Sequence, residues 1–167
     1  MVETPRGNRV HIAIFGRTNA GKSSLINCIT NQNISLVSDV KGTTTDPVYK
    51  AMELLPIGPV VFIDTAGIDD ISAIGALRIE KTTEVLDKMD ISILVISAET
   101  ILEDEILSFE QEWIKKIKDK KKPFIAVLNK IDIVKDKEEF KEKASKAEKK
   151  LGIDFIQIKK RDSGKIS

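Results

Sequence analysis

Short apolar runs alternate along the chain with longer stretches in which apolar and charged positions recur at helical spacing. Residues 10–15 predict a buried strand, 16–23 a turn, and 24–30 a helix with Leu25, Ile26 and Ile29 inward. Residues 31–46 are polar and rich in Ser, Thr and Asp, which predicts a loop. Residues 47–55 alternate and predict an edge strand, Pro56-Ile57-Gly58-Pro59 a turn, and 60–64 the next strand. So short a turn predicts antiparallel pairing, because a parallel pair needs a long crossover. A helix over 74–89 and a continuous apolar strand over 91–97 follow. Next comes a helix over 102–118 with Ile106, Phe109, Trp113 and Ile117 at helical spacing. A strand over 124–128, a charged helix over 137–150 and a last strand over 153–158 complete the series. Strands alternating with helices predict an α/β domain: a mostly parallel six-stranded sheet, one antiparallel edge strand, and helices on both faces.

Composition narrows the classes of function. The chain has 167 residues, enough for one domain with a substantial core. Lys and Arg total 27 against 26 Asp and Glu, a net charge of +1. That balance argues against broad electrostatic binding to nucleic acid or to an anionic membrane. The lysine-rich stretches at 115–122 and 135–150 carry interspersed acids and read as solvated helix faces. One Cys and one His exclude a disulfide framework within the chain and argue against a Cys/His zinc or iron–sulfur site. Cys28, beside Leu25 and Ile29, reads as a small core or half-buried residue; His11, Met89 and Trp113 read as structural. No apolar stretch approaches a bilayer span, and the N-terminus lacks the apolar core of a signal peptide. A cytoplasmic domain is the expectation.

The chemistry starts after the first strand. Gly16-Arg17-Thr18-Asn19-Ala20-Gly21-Lys22-Ser23 fits G-x-x-x-x-G-K-[ST], between a predicted strand and a predicted helix. The glycines let the backbone turn successive N–H groups onto one anion, and the following helix adds its positive end. Lys22 would reach the β- and γ-phosphates, and the Ser23 hydroxyl can ligate Mg²⁺. Asn19, Ala20, Gly21, Lys22, Ser23 and Ser24 are the candidate nucleotide-binding residues here. Asp64-Thr65-Ala66-Gly67 ends a later strand, where α/β sheets bind ligands. Asp64 can hold Mg²⁺ through a water, and Gly67 leaves its N–H open to a γ-phosphate. Asn129-Lys130-Ile131-Asp132 follows another strand. A carboxylate at Asp132 only accepts hydrogen bonds, and guanine offers two adjacent donors that adenine lacks. Lys130 can lie along the base, and Asn129 can tie this loop to the phosphate loop. The order and placement of these motifs argue for GTP.

These motifs resemble the Ras-like G domain of translation-factor-related GTPases, a P-loop NTPase fold. Residues 42–50 (GTTTDPVYK), 58–61 (GPVV) and 64–70 (DTAGIDD) resemble, more narrowly, the HydF family of FeFe-hydrogenase maturation GTPases. The resemblance covers nearly the whole chain; relatives acting on ribosomes or tRNA usually carry Arg at the position of Thr45. It implies that Thr44 closes on Mg²⁺ and the γ-phosphate, so that Lys22, Thr44 and Gly67 are the catalytic positions. It also implies that the Asn19 amide oxygen helps hold K⁺ against the phosphates. Ile68 stands where Ras-type proteins carry a water-positioning glutamine, which implies slow hydrolysis; Asp69, Asp70 and Glu80 read as solvent-facing charges. The fifth G-domain motif, usually Ser-Ala, is replaced by Ile158-Lys159-Lys160-Arg161. The expected single domain lacks a final helix. The dimerisation and iron–sulfur domains of the family, and other hydrogenase maturation proteins, are the partners so implied. Two alternatives stay open: a ribosome- or tRNA-associated assembly GTPase, and a nucleotide-binding module with negligible turnover.

Overall fold

The computed structural model of the chain describes residues 9–30, 47–65 and 75–158. The candidate positions Thr44, Thr45, Gly67, Ile68, Asp69 and Asp70 lie outside the described residues, as do residues 159–161.

Six strands form one sheet: β1 (Val10–Gly16), β2 (Val48–Leu54), β3 (Gly58–Asp64), β4 (Ile91–Ser97), β5 (Phe124–Asn129) and β6 (Phe155–Gln157), in the order β2-β3-β1-β4-β5-β6. β2 pairs antiparallel with β3 at one edge, and every other pairing is parallel. Among the described residues, five α-helices accompany it: α1 (Lys22–Thr30), α2 (Gly75–Lys88), α3 (Ala98–Glu103), α4 (Ser108–Asp119) and α5 (Lys137–Leu151). The predicted fold class is the observed one.

Alternation along the central strands sorts the core into two layers. Ile12, Ile14, Val60, Phe62, Ile93, Val95 and Val127 face Leu25 and Ile26 of α1. Ala13, Phe15, Ile63, Leu94, Ile96 and Leu128 face the other way, onto α2, α3, α4 and α5. Trp113 stacks on Phe15 with ring centroids 4.5 Å apart. A central strand such as β4 is buried on both faces, which is why it reads as continuously apolar.

The sequence pattern and the structure part company in the second half. The single helix expected over 102–118 is two helices. α3 opens earlier than expected, at Ala98, because the Ser97 side chain caps it by accepting from the Thr100 amide at 3.2 Å. Asp104 then stops it. Its Oδ1 accepts from the Ile106 and Leu107 amides at 2.9 and 3.0 Å, and Leu107 adopts the left-handed conformation (φ 54°). Ile106, expected inward, is 67% exposed on this turn, while Leu107 is buried in its place. The first helix begins at Lys22 rather than Ser24, and the last strand is shorter than 153–158.

The charged helices are solvated. Lys116 and Lys143 pair with Glu112 and Glu139 one turn away, as expected of interspersed acids. Three lysines do more: Lys122 donates to the Leu86 and Asp87 carbonyls, Lys143 to Leu102, and Lys150 to Glu105, tying helix and strand ends together. Among the described residues no helix is long and apolar enough to cross a membrane.

Candidate functional site

Parallel pairing brings the C-terminal ends of four strands to one edge of the sheet. Ile14 lies opposite Asp64, Gly16 opposite Val95, and Ser97 opposite Asn129. β1 sits where the chain departs to β3 on one side and to β4 on the other. A crevice at such a switch point is where open α/β sheets take ligands.

The phosphate loop leaves β1 at Gly16 and enters α1 at Lys22. A Cβ on Gly16 would run into the Val95 carbonyl, and one on Gly21 (φ 97°) would collide with the Asn129 side-chain amide. Both positions therefore require glycine. Lys22 is only 4% exposed. Its ammonium donates to the Gly16 carbonyl and lies 3.5 Å from that of Arg17, within the curl of the loop. Ser23 and Ser24 follow in the first turn of α1, whose leading N–H groups make this end attractive to an anion.

The Asn129-Lys130-Ile131-Asp132 segment is brought to the loop as expected. Asn129 Nδ2 donates to the Ala20 carbonyl at 3.1 Å, and Lys130 Nζ donates to the Asn19 carbonyl at 2.6 Å. Lys130 itself is left-handed (φ 61°) and leads into a short 3₁₀ turn, Ile131–Ile133, which presents Asp132 exposed. Asn19 is exposed at the tip of the phosphate loop. On the other side, Asp64 is buried at 2% exposure where β3 ends. Thr65 donates its hydroxyl to the Ile14 carbonyl at 2.6 Å, which fastens the start of the D-x-x-G segment to β1. The structure thus unites Asn19, Ala20, Gly21 and Lys22 with Asn129 and Lys130, and places Asp64 on the same edge of the sheet.

Two features escaped sequence reasoning. Thr65 is one. The other is Arg17, whose guanidinium turns to α4 and bonds Glu110 through Nε and a terminal nitrogen, each at 2.8 Å. It also bonds Asp104 at 2.6 Å and lies over the Phe109 ring. The Glu110 bond is the main reason that the Arg17 pKa is raised, and the Arg17 bond the main reason that the Asp104 pKa is lowered. Sequence carried no signal for this group, since the partners lie 87 and 93 positions away. Ile158 packs against the layer beneath α1 and donates its amide to the Leu128 carbonyl.

Comparison with known proteins agrees with this geometry. Residues 11–130 match the sequence family described as 50S ribosome-binding GTPase. GTPase Der of Mycoplasmopsis pulmonis is 38% identical over 128 residues, 74% of this chain and 28% of that protein. The tRNA modification GTPase MnmE of Bacteroides fragilis is 35% identical over an alignment covering 92% of this chain and 33% of that protein. The chain therefore spans about a third or less of these curated relatives. Among solved structures, a variant of Aquifex aeolicus Era bound to GDP and AlF4⁻ superposes with a TM-score of 0.68 at 27% identity. That match covers 89% of this chain and 50% of that one. Era in complex with MgGDPNP and a segment of 16S ribosomal RNA superposes with the same score at 26% identity, covering 90% and 50%. With its phosphate loop latched to the Asn129–Asp132 segment, the chain belongs to the family described as 50S ribosome-binding GTPase and has the fold of a P-loop GTPase domain.

Proposed function

We propose that this domain is the GTP-driven switch of a larger assembly protein, with slow, Mg²⁺-dependent, K⁺-stimulated hydrolysis, and that its setting is hydrogenase cofactor maturation. The observation that carries the switch chemistry is the double latch of Asn129 and Lys130 on the carbonyls of Ala20 and Asn19. It joins the loop that reads the base to the loop that holds the phosphates, so one nucleotide engages both. Asp132 accepts from the two guanine donors. The buried Asp64 carboxylate and the Ser23 hydroxyl are hard oxygen donors of the kind Mg²⁺ takes. They would hold it with Thr44, and the ion would neutralise charge on the phosphates. Lys22, Thr44 and Gly67 act on the γ-phosphate, and water is the nucleophile, so the reaction needs positioning and charge stabilisation without a covalent intermediate.

Two residues support the finer terms. Ile68 offers no group to orient the attacking water, which makes intrinsic turnover slow. Asn19 is exposed on the phosphate loop, with its backbone carbonyl already held by Lys130. Its amide oxygen would help hold K⁺ against the phosphates, supplying charge where an arginine finger would otherwise act. The test is GTP turnover at equal ionic strength in KCl and NaCl, for the wild type and Asn19→Ala. K⁺ stimulation that the variant loses is the expected result; equal rates in the two salts would remove the K⁺ mechanism.

Hydrogenase maturation rests on residues 42–50 and 58–61, with Thr45 where ribosome- and tRNA-acting relatives usually carry Arg. A second reading is a ribosome- or tRNA-associated GTPase, favoured by the similarity to Der, MnmE and Era. Capture of partners from a lysate with the full-length protein separates them. Recovery of hydrogenase maturation proteins supports the first and recovery of ribosomal RNA the second.

A further inference from the structure

The phosphate loop is braced by charge from outside the nucleotide motifs. Arg17 occupies a position that the phosphate-loop pattern leaves open, yet its guanidinium makes a planar two-bond fork on Glu110, which is 1% exposed. A third bond goes to Asp104 Oδ2. The other oxygen of that same carboxylate holds the Ile106 and Leu107 amides, which make the turn between α3 and α4. One aspartate therefore belongs to two structures at once, the brace on the phosphate loop and the junction of two helices. Beside them a cleft of about 450 Å³ runs between the loop and α3, lined by Thr18, Asn19, Ser97, Thr100 and Phe109; Arg17 and Asp104 also line it. The Arg17 charge is committed to these two acids.

We propose that Arg17 is a positioning residue for GTP binding: it holds the phosphate loop in register with α4 and couples nucleotide occupancy to the α3–α4 junction. The coupling is reciprocal, so a nucleotide that orders the loop also steadies the junction, and a partner that grips the junction alters nucleotide affinity. The inference rests on the GTP site and is independent of the K⁺ and maturation readings.

The test compares the wild type with Arg17→Met/Glu110→Met, which removes both charges and leaves no buried carboxylate unpaired. Arg17→Lys, which keeps the charge but cannot form the fork, is the companion. Thermal unfolding checks the fold. Titration with a fluorescent GDP analogue and Mg²⁺ gives affinity, steady-state turnover separates kcat from KM, and amide exchange at Ile106 and Leu107 is followed with and without GDP. The expected result is a folded double variant whose GDP affinity falls and GTP KM rises about tenfold, with kcat within about threefold of wild type. GDP slows exchange at Ile106 and Leu107 in the wild type and has no such effect in the double variant. Affinity within about twofold of wild type, with the GDP effect on exchange retained, would reduce the fork to a fold brace and overturn the proposal. A fall in kcat at unchanged KM would also overturn it, because Arg17 would then act on transition-state charge. Should the double variant fail to fold, Arg17→Lys decides by the same affinity and exchange readouts.

Discussion

At Gly21 there is no room for a methyl group. The backbone angle is one that L-residues avoid, and the space a Cβ would take holds the Asn129 amide. Gly21→Ala therefore strains the loop and breaks its latch to Asn129 together, at a cost of about 1–3 kcal/mol. The expected outcome is a loss of GDP affinity of roughly 5- to 160-fold, the range that energy spans, read by titration with a fluorescent analogue. Asp104 gives a prediction of a different kind. Arg17 lowers its pKa in the folded state, so its contribution to stability is complete above its unfolded value of about 3.9 and is lost as pH falls through the lower folded value. Urea unfolding midpoints should fall more steeply below about pH 4 in the wild type than in Asp104→Asn. Equal slopes would show that Arg17 does not favour the ionised carboxylate.

Helix ends are where the elements reveal their balance of local forces. α5 closes on Gly152 in the left-handed conformation (φ 67°), with its amide bonded to the Glu148 carbonyl. After α4 the chain makes the same kind of turn with Lys121 (φ 56°), an exposed residue with a Cβ. Lys121→Gly should raise stability by about 0.5–1 kcal/mol, measured by denaturant unfolding. An unchanged or lowered midpoint would mean that the Lys121 side chain compensates for the strain. Elements differed in how far the sequence disclosed them, for physical reasons. β1 and β4 were legible because both of their faces are largely buried. The α3–α4 break was not, because Ile106, Phe109, Trp113 and Ile117 continue a helical spacing straight across it. What ends α3 is one carboxylate choosing two amides, an interaction that hydrophobic periodicity does not register. The phosphate loop and the Asn129–Asp132 segment were legible because each motif carries its chemistry in a short run. The Arg17 group was not, since Arg17 lies 87 and 93 positions from its two acidic partners and meets them only when the phosphate loop packs against the α3–α4 region.

On the scale of the whole molecule, the sheet separates two apolar layers, and the nucleotide loops sit along the edge where its parallel strands end. Phe15 joins these regions: it belongs to the layer beneath α2–α5, and the next residue in the chain is Gly16, where the phosphate loop starts. Its ring lies against Trp113, the one tryptophan in the sequence, which is 3% exposed. Nature has thereby supplied the domain with an optical probe at the root of its phosphate loop. Indole light from this chain comes from a single buried ring, stacked on Phe15 and with the Lys116 ammonium 5.1 Å from its centroid, so its emission should be shielded from iodide in solution. A nucleotide that shifts the Phe15–Gly16 backbone should change its intensity without any attached dye.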